Sequence, residues 1–156
     1  MSTVFREITE GDVPELFRVR VSTRENALTE EELQRLGITP ETVCRMLAGS
    51  HRGWLCEVDG AVVGFAMGNG RTGEMWVIAL LPEAEGRGIG AELMDRVEGW
   101  LWSLGWREIW LTTDTDTSLR AYGFYRARGW EDWKVENGDL FMRRSNPISE
   151  SDGEGV

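Results

Sequence analysis

Three glycines fall within five residues at Gly86-Arg87-Gly88-Ile89-Gly90. They follow an apolar run, Glu74 to Leu81, that reads as a buried strand stopped by Pro82, and they precede an amphipathic helix. Glycine allows backbone conformations closed to other residues, so such a loop turns successive N–H groups toward one point at the positive end of the helix. The chemistry this supports is the holding of a phosphate. A triphosphatase loop is excluded, because Ala91-Glu92 stands where Lys-Ser or Lys-Thr is required. A dinucleotide fingerprint fits Gly86 to Ala91, with Asp114 as the ribose acid. Against it, Pro82 to Glu85 separate the strand from the first glycine, and too little chain remains to complete a doubly wound sheet.

The loop needs elements to carry it. Val4 to Ile8 alternates as a first strand, and Asp12 ahead of Val13-Pro14-Glu15 caps a helix running to about Thr23. Residues 24 to 48 read as two short helices: Thr29 and Glu32 form a capping box, and Thr39-Pro40 opens the second, which Gly49 ends. Trp54 to Val58 and Ala61 to Met67 form a hairpin about Asp59-Gly60. His51 falls in a surface turn before it. After the glycine loop, Leu93, Val97, Trp100, Leu101 and Leu104 recur at helical spacing and should face the sheet, with Gly105 closing the helix. Glu108 to Thr113 is a fifth strand and Ser118 to Arg128 a further helix. Trp130 to Glu136 and Asp139 to Arg143 close the chain as a hairpin about Asn137-Gly138. Trp102 and Trp106 read as the edge of the core, a homodimer contact being the alternative.

The spacing Glu85-x-x-Gly88-x-Gly90, directly after a long strand, resembles the acetyl-CoA loop [Q/R]-x-x-G-x-[G/A] of the GNAT superfamily of N-acetyltransferases. A second stretch, Ser118 to Trp130, resembles that family's N-x-x-A-x-x-F-Y-x-x-x-G-[F/W] signature, with Ala121, Phe124, Tyr125, Gly129 and Trp130 in place. The likeness covers about residues 3 to 144. It implies an α+β, three-layer fold: a mixed, mostly antiparallel central sheet of six or seven strands flanked by about four helices. One domain over 1–144 is expected, with an acidic, disordered tail over 145–156.

The resemblance also implies roles. Arg87, Gly88, Ile89, Gly90 and Ala91 would present N–H groups to the pyrophosphate of acetyl-CoA, the co-substrate. Glu85 stands where the family has Gln or Arg, and is tolerable if it points away from the phosphates. Leu80 and Leu81 would lie where the central strand bulges and splays from the fifth, so that free backbone groups bond the pantetheine arm. Ser118, in place of Asn, would bind the same arm, sharing a helix face with Ala121 and Tyr125. Tyr125 matches the position that protonates the departing thiolate. The acceptor amine also needs a base: an alkylammonium must first lose its proton, at roughly 4 kcal/mol near neutral pH. Glu74, eleven residues before position 85, matches the base of the histone acetyltransferase branch. Asp114 resembles an acid of some aminoglycoside acetyltransferases, and a water relay is a third route.

At 156 residues and a net charge of −10 the chain suits one domain. That acidity works against nucleic acid and anionic membrane and favours a small cationic amine, such as an aminoglycoside or polyamine. A peptide N-terminus or amino-acid acceptor, and an acetyl-CoA sensor without catalysis, remain as alternatives. No apolar run approaches a membrane span, and Met1 to Ile8 reads as a strand rather than a leader. Cys44 and Cys56 lack metal spacing, so no metal is expected and both thiols should be reduced in a cytoplasmic protein.

Overall fold

The computed structural model describes residues 2–25 and 28–147. The expected tail therefore lies outside the described residues from 148 onward, while Ser145 still belongs to the last strand. Seven strands are present: β1 (Thr3–Glu7), β2 (His51–Val58), β3 (Ala61–Asn69), β4 (Glu74–Leu80), β5 (Glu108–Asp114), β6 (Glu131–Glu136) and β7 (Asp139–Ser145). The helices are α1 (Val13–Arg20), α2 (Glu30–Arg35), α3 (Pro40–Ala48), α4 (Ile89–Ser103) and α5 (Arg120–Ala127). The sheet order is β1-β2-β3-β4-β5-β7-β6, and every neighbouring pair is antiparallel except β4 with β5. No helix among the described residues is long and apolar enough to cross a membrane.

Turn chemistry sets the registers. Asp59 and Gly60 both take positive φ, 52° and 86°, as do Asn137 and Gly138, at 53° and 82°. These are the conformations a two-residue hairpin loop requires. Thr29 accepts from Glu32 N at 3.1 Å and Thr39 from Thr42 N at 3.2 Å, so both expected caps form. Asp12 behaves differently. It stands at the start of α1 but its carboxylate bonds no N–H of that helix; it takes two guanidinium bonds from Arg6, each 2.8 Å, and the N–H of Thr9, closing a capping box on the short 3₁₀ turn at Glu10–Asp12 that leads into α1.

Strand alternation decides which helix covers which face. Phe65 and Met67 of β3 point toward Leu16 of α1 and Val43 of α3, along one shared cleft. Gly68 points the other way, where a Cβ would stand 2.8 Å from Val97 of α4. Along α4, Leu93, Val97 and Leu101 are buried as expected, together with Met94. Leu104 is half exposed instead of facing the sheet, because the helix ends at Ser103 and the periodicity ends with it. Trp102 and Trp106 are partly buried against the core. His51 opens β2 rather than lying in a turn, its ring edge-on to Trp76 at 5.3 Å.

The sheet is not continuous across its centre. Between β4 and β5 the ladder joins only Glu74 and Trp110. Beyond that pair the two strands part, and the wedge between them is the mouth of the principal cleft.

Candidate active site in the wedge between the central strands

The cleft holds about 660 Å³ and is lined along its length by Trp76 to Leu80 of β4 on one side and Thr112 to Asp114 of β5 on the other. Along this stretch, past the Glu74–Trp110 pair, each strand is paired on its outer edge only, so the inner edges carry backbone groups with no strand partner. An extended amide arm can add to such an edge as a strand would. The bulge expected near Leu80 is found earlier: the β3–β4 register shifts between Met67 and Gly68, leaving Trp76 as the extra residue. Leu80 does line the cleft. Leu81 does not; it is buried, and its N–H bonds Val63 O at 2.8 Å, which ties the end of β4 to β3.

From there Pro82–Ala84 make one 3₁₀ turn and the glycine loop begins. Gly86 and Gly88 take φ of 74° and 79°, and no atom lies within 4 Å of where their Cβ atoms would be, so the loop is an open cradle. Gly90 is needed for closeness instead: a Cβ there would meet Leu80 Cδ1 at 3.2 Å and the Phe124 ring at 3.6 Å. The first N–H groups of α4 have no carbonyl one turn behind them. Gly86, Gly88, Gly90 and Ala91 all line the cleft at this point. The residues present therefore fit a pyrophosphate. Ile89 is buried beneath the loop, and the Arg87 side chain lines a smaller hollow with Thr3 and Phe5, away from the main cleft.

Tyr125 reaches the cleft from α5. It is 7% exposed, packed between Phe124 and Trp130 at ring separations of 5.7 and 6.3 Å. Burial pushes its hydroxyl up to about 12, opposed in part by the charge of Arg20. It is thus a protonated acid at neutral pH. Arg20, from the last turn of α1, lines the same cleft. Nothing in the sequence marks it, since a cation in a last helical turn is commonplace.

The two candidate bases are separated. Asp114 lines the cleft at the end of β5, accepts from Asp116 N at 2.8 Å, and lies opposite Asp139 of β7, which lines the cleft too. Glu74 does not line it. It is half-buried at the closed end of the wedge, and burial pushes its carboxyl up. Ser118 is also outside. α5 starts only at Arg120, so Ser118 shares no helix face with Tyr125; it donates through Oγ and N to Asp116 Oδ1, at 2.6 and 3.0 Å. Glu85, tolerable in this loop if it pointed away from the phosphates, faces the cleft and takes guanidinium bonds from Arg24 at 3.0 Å and Arg120 at 3.3 Å.

A buried hub holds the two functional helices together. Glu98 of α4, 3% exposed, accepts from Arg128 Nη2 at 2.8 Å, from Trp130 Nε1 at 3.0 Å and from Arg144. Arg128 reaches on to Ala91 O, 3.4 Å away, in the first turn of α4. Among the described residues no group of acids, histidines and cysteines could hold a metal ion.

A search among curated proteins finds no match. Among solved structures, the PaiA N-acetyltransferase of Thermoplasma acidophilum in complex with coenzyme A superposes with a TM-score of 0.80 at 20% identity, over 94% of this chain and all of that one. A GNAT-family acetyltransferase of Staphylococcus aureus Mu50 gives 0.75 at 17% identity, over 92% and 99% of the two chains. The ribosomal-protein-S18-alanine N-acetyltransferase of Escherichia coli gives 0.72 at 14%, over 92% and 94%. These likenesses establish the fold: a seven-stranded, mostly antiparallel sheet parted at its centre. The sequence model of the Acetyltransferase (GNAT) family matches residues 13–130, spanning α1, the glycine loop and Tyr125. The chain belongs to that family, and is an acyltransferase that draws its acetyl group from acetyl-CoA.

Proposed function

We propose that this enzyme acetylates the primary amine of a small cationic acceptor, of the aminoglycoside or polyamine type, by direct transfer within a ternary complex. The observation that carries the reading is one continuous cleft. At its buried wall it has a tyrosine held protonated, at one end a glycine cradle for phosphate, and at its rim two acids on facing positions of β5 and β7. Like charges placed opposite each other on neighbouring strands repel. An ammonium group between Asp114 and Asp139 would relieve that repulsion.

The chemistry then follows from positions. The N–H groups of Gly88, Ile89, Gly90 and Ala91 hold the pyrophosphate, and the free edge of β4 aligns the pantetheine arm and polarises the thioester carbonyl. The acceptor ammonium gives a proton to Asp114, or through water to Glu74 at the closed end. The freed nitrogen bonds the carbonyl carbon, the carbon–sulfur bond breaks, and Tyr125 passes its proton to the departing sulfur. The surplus proton left on the nitrogen passes through water to the Tyr125 oxygen, completing the amide and restoring the tyrosine, and Asp114 releases its proton to solvent.

A second reading keeps the reaction and changes the acceptor to a peptide α-amine. It is favoured by the apolar lining that Phe17, Leu36, Ile38 and Trp76 add to the cleft, which suits an aliphatic or aromatic side chain beside the amine. Release of CoA thiol from acetyl-CoA, measured against aminoglycosides, polyamines, basic amino acids and short peptides, separates the two. Turnover confined to polyamines or aminoglycosides supports the cationic acceptor. Turnover confined to peptides supports the second reading, and CoA binding without thiol release from any amine overturns both.

A further inference from the structure

One position that departs from the family pattern is Glu85, and it is not a passive departure. Its carboxylate, with a side chain only 15% exposed, lies at the start of the glycine loop and faces the cleft. It accepts from Arg24 Nε at 3.0 Å and from Arg120 Nη1 at 3.3 Å. These partners come from two distant parts of the chain: Arg24 follows α1 and Arg120 opens α5. Glu25, next to Arg24, accepts the backbone N–H of Arg120 at 2.9 Å, a second link between the same two segments. All four residues line the cleft alongside Gly86 and Gly88.

We propose that Glu85 is a built-in occupant of the phosphate site. In the ligand-free enzyme it holds Arg24 and Arg120 at the mouth of the cleft, and both guanidiniums transfer to the phosphate groups of CoA when it binds. The chemical grounds are three. Each guanidinium spends a single N–H on Glu85 Oε2, and its planar fork of donors is shaped to bind a phosphate. A chain of net charge −10 must offer local positive charge to a polyanion, and at this mouth Glu85 and Glu25 match Arg24 and Arg120 one for one, so the guanidiniums serve a phosphate only by leaving Glu85. The Arg24 and Arg120 side chains are 60% and 57% exposed, so both can turn from one anion to another without unpacking a core.

The proposal rests on the acetyl-CoA reading, and its test separates the two. Binding of CoA and of 3′-dephospho-CoA is titrated for the wild type, Glu85→Gln, Arg24→Gln, Arg120→Gln and the Glu85→Gln/Arg120→Gln pair, with melting curves confirming that each variant folds. The expected result is that Glu85→Gln tightens CoA severalfold, because the competitor is gone. Each arginine variant weakens CoA by about tenfold, with a shallower dependence on salt. A loss that shrinks with 3′-dephospho-CoA assigns that arginine to the 3′-phosphate, and an unchanged loss assigns it to the pyrophosphate. Weaker CoA binding by Glu85→Gln, or unchanged binding by both arginine variants, overturns the proposal while leaving the acetyltransferase reading intact. A wild type that binds no CoA overturns both.

Discussion

Glu98→Gln tests whether the buried hub, rather than chain connectivity, holds α4 and α5 in register. The substitution keeps size and shape and removes the charge. Four N–H groups from three residues then meet a neutral amide instead of a carboxylate: Arg128 Nη2 at 2.8 Å and Nε at 3.4 Å, Trp130 Nε1 at 3.0 Å, and Arg144. The Trp130 bond drops from a charged to a neutral acceptor, at about 1 kcal/mol, and the Arg128 and Arg144 guanidiniums lose their buried counter-charge. One acceptor oxygen also becomes a donor facing a guanidinium. The sum is roughly 3–5 kcal/mol, the range found when a buried ion pair loses one partner. Asp95 keeps its 2.7 Å contact with Arg128 but is 63% exposed, so it compensates little. For a domain of this length the loss corresponds to a fall in Tm of roughly 10 °C. Urea titration and thermal unfolding measure it, with Asp95→Asn as the control, expected to change stability by under about 1 kcal/mol. Because Arg128 also binds the Ala91 carbonyl in the first turn of α4, the KM for acetyl-CoA should rise as well. A loss below about 1 kcal/mol for Glu98→Gln, or an equal loss for Asp95→Asn, would refute the reasoning.

Tyr125→Phe should lower kcat by about 10²–10⁴-fold while CoA affinity stays within a few-fold, read by thiol release and by titration. The same variant tests the raised hydroxyl: the folded protein keeps its proton up to about pH 12 whereas the unfolded chain releases it near 10. Wild-type stability should therefore fall by roughly 2–3 kcal/mol as pH rises through that window, a loss the phenylalanine variant lacks in a denaturant titration. Asp12 has the opposite sign. Arg6 and Thr9 hold its carboxyl down at about 2, so its contribution is full above pH 4 and is lost as pH falls toward 2; Arg6→Met should flatten that acid limb in equilibrium unfolding. Gly64→Ala places a methyl 3.1 Å from Ala79 O and closer still to Leu80, so it should cost about 1–3 kcal/mol and displace the cleft wall, raising the KM for acetyl-CoA.

The elements were legible in the sequence wherever the signal was local. Asp59-Gly60 and Asn137-Gly138 announce their hairpins because few residue pairs accept two positive φ angles in succession. Thr29 and Thr39 announce helix starts because their hydroxyls satisfy N–H groups three residues on. The glycine loop is of the same kind, and its position in the cleft follows from the strand before it and the helix after it. The readings that shifted depended on neighbours distant in the chain. Asp12 was taken by Arg6, Ser118 by Asp116 in a turn that delays α5, and the bulge settled at Trp76 instead of near Leu80.

Local pattern could therefore establish strands, turns, caps and a glycine loop, because each follows from the conformational limits of a few adjacent residues. The family resemblance could offer Tyr125 as a candidate acid and Asp114 and Glu74 as candidate bases but could not say which of them meet. That was decided by the parting of β4 from β5 after one pair, which opens the cleft to Tyr125 and Asp114 and leaves Glu74 at its closed end. It was decided too by the packing of α1 and α5 around that opening, which brings Arg20 beside Tyr125 and sets Arg24 and Arg120 upon Glu85. Charges that lie far apart in sequence acquire partners, and shifted proton affinities, only when packing removes water from between them.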